Sequence, residues 1–175
     1  MTLTPPVLET ARLTLRAHRA SDLDDVLALW SDPVVVRYIG GVPATREDAW
    51  GRLQRYAGHW ALAGHGFWQL RERATDRYVG DVGLADFQRG LALPFDGAPE
   101  AGWVLAPWSH GTGYATEAMT AILAWAAPAH PRTVCIIHPD NAASIRLAGK
   151  LGYRELGRDA YHGSPIIAFE RLARS

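Results

Sequence analysis

An α/β fold built on one sheet of mixed strand direction is what this 175-residue sequence predicts. Three observations carry it. Strand-like and helix-like runs interleave along the chain instead of segregating into halves. Phe67–Arg71 and Tyr78–Phe87 are two strand-like runs close enough to form a hairpin, so part of the sheet is antiparallel. Glu100–Leu105 runs through a glycine turn into a helix, the form of a crossover to a parallel neighbour.

The elements follow in order. Arg12-Leu13-Thr14-Leu15-Arg16 alternates with period two and reads as a strand. Ser21-Asp22-Leu23-Asp24 has the form of a capping box, with Asp24 where Glu is usual. The helix it opens carries Leu23, Val26, Leu27 and Trp30 on one face, and Asp32-Pro33 ends it. Thr45-Arg46-Glu47-Asp48 starts a second helix, with Ala49, Leu53, Tyr56 and Trp60 facing the core and Gly64 and Gly66 stopping it. The hairpin strands join around Thr75-Asp76-Arg77. Gln88 to Pro99, with two glycines and two prolines, is a loop. Glu100–Leu105 is the central strand. Gly113 to Ala127 is a helix apolar over most of its surface, hence well buried, and Pro128 and Pro131 end it. Thr133–Ile137 is a short buried strand. Asn141 to Leu151 is a helix stopped by Gly152. Tyr153–Arg158 and Ile166–Arg171 complete the sheet.

The composition bounds the function. Hydrophobic residues are 48% and charged residues 21%, an ordinary globular mix, and residues 1–175 are expected to form one domain. The formal net charge is zero, so neither nucleic acid nor an anionic membrane is an expected partner. No stretch approaches the ~18 apolar residues of a membrane span, and the N-terminus lacks a basic-then-apolar signal. A lone cysteine, Cys135, excludes a disulfide within the chain and fits a cytoplasmic location. Its apolar surroundings mark it as an inert core thiol.

The richest segment is Gly102-Trp103-Val104-Leu105-Ala106-Pro107-Trp108-Ser109-His110-Gly111-Thr112-Gly113-Tyr114-Ala115-Thr116-Glu117-Ala118. A strand entering a helix through Gly-x-Gly presents free N–H groups at the positive end of the helix dipole, which suits a phosphate. A P-loop would need Gly-Lys-Ser/Thr, but Tyr114-Ala115 follow the glycines. A dinucleotide fold would need a third glycine and an acidic residue about twenty positions on, and both are missing.

Downstream lies His138-Pro139-Asp140-Asn141-Ala142-Ala143-Ser144-Ile145-Arg146-Leu147-Ala148-Gly149-Lys150-Leu151-Gly152-Tyr153. The two segments, in this order and separation, resemble the GNAT superfamily of acyl-CoA-dependent N-acetyltransferases. Leu8-Glu9-Thr10-Ala11-Arg12-Leu13-Thr14-Leu15-Arg16 and Ser31-Asp32-Pro33 are similar to the RimJ/RimL branch, which acetylates ribosomal-protein N-termini. The resemblance runs from Leu8 to Arg171. It implies a sheet that splays open after the Glu100–Leu105 strand, with acetyl-CoA entering the gap.

That resemblance assigns roles. The pyrophosphate would lie on backbone donors of His110, Gly111, Thr112, Gly113, Tyr114 and Ala115; His110 departs from the more usual Arg or Gln. Backbone of Val104 and Leu105 would hold the pantetheine arm and polarise the thioester carbonyl. Glu100 would take the proton of the attacking amine, with Asp86 on the neighbouring strand as the rival carboxylate. Asn141 would meet the pantetheine, and Ser144 would sit by the departing sulfur in place of the tyrosine many relatives use. Both are equally good helix-capping residues. Arg146 and Lys150, a like-charged i, i+4 pair, would flank the 3′-phosphate or simply face solvent. Trp30, Trp50, Trp60 and Tyr38 lie on the N-terminal helices and their connection, which form one wall of the acceptor cleft; Tyr38 and Trp50 are the lining candidates. No metal is implied. The acceptor would be a primary amine, foremost a protein or peptide N-terminus, with polyamines, aminoglycosides and aminoacyl-nucleotides as alternatives. A non-catalytic acyl-CoA-binding module is the rival from another class. The assembly would be a monomer or a homodimer.

Overall fold

The computed structural model describes residues 4–173. In chain order its elements are β1 (Leu8–Glu9), β2 (Leu13–Arg16), α1 (Leu23–Trp30), α2 (Pro33–Val36), α3 (Arg46–Ala63), β3 (Phe67–Glu72), β4 (Tyr78–Ala85), β5 (Glu100–Leu105), α4 (Tyr114–Ala126), β6 (Arg132–Ile137), α5 (Ala142–Lys150), β7 (Arg154–Tyr161) and β8 (Ser164–Leu172). The eight strands form one sheet in the order β1-β2-β3-β4-β5-β6-β8-β7. Only β5 and β6 run parallel; the other neighbours are antiparallel. This is the expected mixed α/β architecture.

The two faces of the sheet bury different helices. On one, Ala101 and Leu105 of β5 pack with Ala118, Met119 and Ile122 of α4 and Ala148 of α5. On the other, Val104 packs with Val26, Leu29 and Trp30 of α1 and Ala49 and Leu53 of α3. Alternation along β5 therefore sends Glu100, Gly102 and Val104 toward α1–α3, and Ala101, Trp103 and Leu105 toward α4 and α5.

Several local signals form as read. Thr45 and Asp48 close a capping box at the start of α3, whose buried residues are Ala49, Leu53, Tyr56 and Trp60. Gly152 takes φ +88, and the Gly152 and Tyr153 N–H groups donate to the carbonyls of Gly149 and Ala148, the paired bonds of a Schellman stop. Cys135 is buried, and burial, with the charge of Glu100, raises its thiol well above the usual range.

Other details differ. Ser21 does not cap α1. The carboxylate of Asp22 instead accepts from the Arg19 N–H at 2.7 Å and pairs with Arg16 at 2.8 Å, because a buried acid takes a guanidinium before a helix end. Asp32-Pro33 starts a helix as well as ending one: Asp32 accepts from the Val34 N–H and Pro33 occupies the first turn of α2. β4 stops at Ala85, two residues short of Phe87.

Candidate active site

The sheet opens where the sequence places the chemistry. β5 pairs with β4 along its whole length, and β6 with β8 likewise. Between β5 and β6 the register holds only at Glu100 and Val134, with the Val134 N–H donating to the Pro99 carbonyl at 3.1 Å. Beyond that point β5 and β6 no longer pair, which leaves the Trp103 backbone and the Leu105 N–H without a strand partner on that side.

The glycine loop stands at the end of β5. Gly111 and Gly113 take φ +76 and +85, a left-handed conformation that glycine adopts without a Cβ penalty. Gly111, Thr112 and Gly113 are exposed. Among the described residues, the N–H groups of Gly111, Gly113, Tyr114 and Ala115 find no protein acceptor. Four free donors at the positive end of a 13-residue helix form an anion cradle. The loop is stiffened from below. Thr112 Oγ1 donates to the Ser109 carbonyl, Arg12 Nη1 donates to the Thr112 carbonyl, and Arg12 Nε pairs with Glu117 at 2.7 Å. The His110 ring turns back and donates Nε2–H to the Leu105 carbonyl at 2.8 Å. Tyr114 is buried with its hydroxyl on Glu72, so only its backbone faces the loop.

Across the gap, Asn141 caps α5 by accepting from the Ser144 N–H at 3.2 Å. Its side-chain amide NH2 remains available. Ser144 Oγ accepts a hydrogen bond from the Trp103 indole N–H at 3.1 Å. On the opposite face, the Tyr38 ring stacks on His138, which follows the last residue of β6, with centroids 5.4 Å apart. Arg146 and Lys150 are both exposed on α5.

Glu100 lies where the gap begins. It is buried, and Arg89 from the preceding loop grips both carboxylate oxygens at 2.8 Å. Burial pushes its carboxyl above the usual range, and the Arg89 guanidinium pulls against that shift without cancelling it. Phe67 covers the neighbouring Gly102, where a Cβ would come within 2.7 Å of the ring. Asp86 is exposed and its oxygens are taken by Gln88. Of the three tryptophans on the N-terminal helices, Trp30 and Trp60 are buried core residues, whereas Trp50 is 42% exposed.

A third carboxylate was not picked out from the sequence. Asp81 is fully buried on β4, directly opposite Val104. It pairs with His18 Nε2 at 2.8 Å and accepts from Trp30 Nε1 at 3.3 Å. Tyr56 and Tyr78 stand close by, their phenols raised by burial and then by the Asp81 charge. The sequence signal was an aspartate inside the otherwise apolar Tyr78–Ala85 run. With His18 and Trp30 occupying its oxygens, Asp81 pins the α1 wall to the sheet beside the gap.

Comparison with known proteins identifies the family. Residues 12–154 match the family model described as an acetyltransferase (GNAT) domain. The chain belongs to the GNAT acetyltransferases. Among solved structures, a Bordetella pertussis protein described as a GnaT-family acetyltransferase is 32% identical, with a TM-score of 0.84 over 96% of this chain and 100% of its own. RimL, a ribosomal α-N-protein acetyltransferase in complex with coenzyme A, shares the fold, with a TM-score of 0.79 over 96% of this chain and 98% of its own at 15% identity. The uncharacterized N-acetyltransferase YoaA of Bacillus subtilis is 28% identical over 87% of this chain and 85% of its own.

Proposed function

We propose that this GNAT enzyme moves an acetyl group from acetyl-CoA to the primary amine of a peptide or protein N-terminus. The observation that carries the donor is the Gly111–Ala115 loop, whose unpaired N–H groups suit a pyrophosphate, beside a gap edged by free β5 backbone. The RimL complex with coenzyme A supports the same donor by its fold. In the gap, the Trp103 backbone and the Leu105 N–H would pair with the pantetheine arm and polarise the carbonyl, while Val104 turns its own N–H and C=O toward Asp81 of β4. The amine nitrogen attacks that carbon, the new C–N bond forms, and the C–S bond breaks with its electron pair leaving on sulfur. Glu100 takes the ammonium proton. Its burial and raised pKa favour it over exposed Asp86, and each oxygen bound to Arg89 retains a second lone pair. Tyr38 borders the acceptor side.

The N-terminus is preferred over a polycation on electrostatic grounds. The three aspartates at the start of α1 are already paired: Asp22 with Arg16 and Arg71, Asp25 with Arg71, Asp24 with Arg46. Ile39, Val42 and Trp50 are exposed apolar groups around the α2–α3 connection, suited to an uncharged side chain next to the amine. In a competition for limiting acetyl-CoA, short peptides with a free N-terminus should be acetylated ahead of spermidine, read by mass spectrometry. Spermidine or an aminoglycoside winning over every peptide would move the enzyme to a small-molecule acceptor.

A further inference from the structure

We infer that Trp103 is a positioning residue that orients the Ser144 hydroxyl toward the departing thiolate; this rests on the acetyl-transfer reading above. Trp103 sits in the middle of β5, on the face toward α4 and α5, at the level where β5 has lost its pairing with β6. Its half-buried indole crosses the opening and donates Nε1–H to Ser144 Oγ at 3.1 Å. Residues 41 positions apart in sequence are thereby tied together across the one break in the sheet.

The bond has a directional consequence. A serine hydroxyl offers one donor hydrogen and two acceptor lone pairs. The indole N–H can only donate, so it occupies a lone pair and leaves the Ser144 hydrogen uncommitted. Among the described residues that hydrogen has no acceptor. Ser144 is also fixed from behind, because its own N–H is held by the Asn141 side chain. The residue is therefore held at its backbone N–H and at its hydroxyl oxygen, with a single free donor directed away from the indole. In the gap, the group that becomes electron-rich during transfer is the thioester sulfur. Ser144 donates a hydrogen bond to it as the C–S bond breaks. A thiol pKa near 8.5 lies far below that of an alcohol, so Ser144 keeps its proton and the thiolate takes one from water on release. Without the indole, the hydroxyl is free to rotate and the stabilisation weakens.

The experiment is a double-mutant cycle on the chemical step, followed by rapid quench at saturating acetyl-CoA and peptide so that product release does not mask it. Ser144→Ala should slow the step about tenfold, the low side of what acid-type assistance supplies. Trp103→Phe, which keeps the ring and removes the N–H, should slow it about fivefold by the same measure. The double variant should be no slower than Ser144→Ala, because the indole acts only through the hydroxyl. Ser144→Thr, which restores the hydroxyl, should recover most of the rate, and KM for acetyl-CoA should stay within about twofold throughout. Additive losses, or a Trp103→Phe enzyme at full rate, overturn the proposal. If Trp103→Phe does not fold, the serine pair decides: equal rates for Ser144→Ala and wild type overturn it as well. A wild-type enzyme that transfers acetyl to no amine would instead refute the underlying reaction, a separate result visible before any variant is made.

Discussion

Gly113→Val is expected to lose coenzyme A binding while remaining folded. Gly113 holds φ +85 at the start of α4, and its N–H is one of the free donors of the loop. A β-branched side chain there forces the backbone out of the left-handed region and turns that donor away. One charge-assisted hydrogen bond is worth about 1.5–3 kcal/mol, so Kd should rise about 10- to 100-fold. The left-handed strain itself costs about 1–2 kcal/mol, within the typical 5–15 kcal/mol of a domain. The new Cβ would meet only the end of the flexible Arg12 side chain at 3.4 Å, so packing is otherwise spared. Isothermal calorimetry with CoA, beside circular dichroism to confirm folding, checks this. Wild-type affinity in a folded variant would remove the phosphate from this loop.

Glu100→Gln should have the largest effect on turnover. A base that cannot accept a proton is expected to lose about 10²-fold in kcat/KM at neutral pH, with CoA affinity nearly unchanged. The pH dependence carries a sign. The base works deprotonated, so activity rises with pH through the Glu100 pKa, which burial has raised above the ordinary carboxylate value. Arg89 lowers that pKa, so Arg89→Gln should move the acidic limb to higher pH, whereas Asp86→Asn, which removes a nearby negative charge, should move it slightly to lower pH without abolishing it. A pH–rate profile in which Asp86→Asn abolishes the limb and Glu100→Gln leaves it intact would transfer the role to Asp86.

The parts of this site legible in the sequence are those made by neighbours in the chain. The glycine loop, β5 between Glu100 and Leu105, and the Asn141 cap of α5 all rest on residues within a few positions of one another, where turn and cap chemistry act directly. Side-chain partners from distant elements were not legible. Arg89 lies in a stretch that reads only as a loop, yet it closes on Glu100 and opposes the rise in basicity that burial causes. Asp81 and His18 are 63 residues apart and meet only because the sheet brings β4 beneath the β2–α1 connection. Trp103 reads as one more apolar residue of a strand, and its contact with Ser144 exists only because β5 and β6 part. The Ser21 capping box failed for a related reason: the pull of Arg16 on Asp22 comes from tertiary burial, which local pattern does not register.

Acetyl transfer to an amine is the claim on which the rest stands, and thiol release counted against acetylated amine in one reaction tests it most directly. Free CoA thiol should appear with acetyl-CoA only when a peptide with an unblocked N-terminus is present, one equivalent for each acetyl group found on the α-amine. Tight CoA binding with no amine-dependent thiol release, across peptides and small amines alike, would contradict the account and leave a binding module in place of an enzyme.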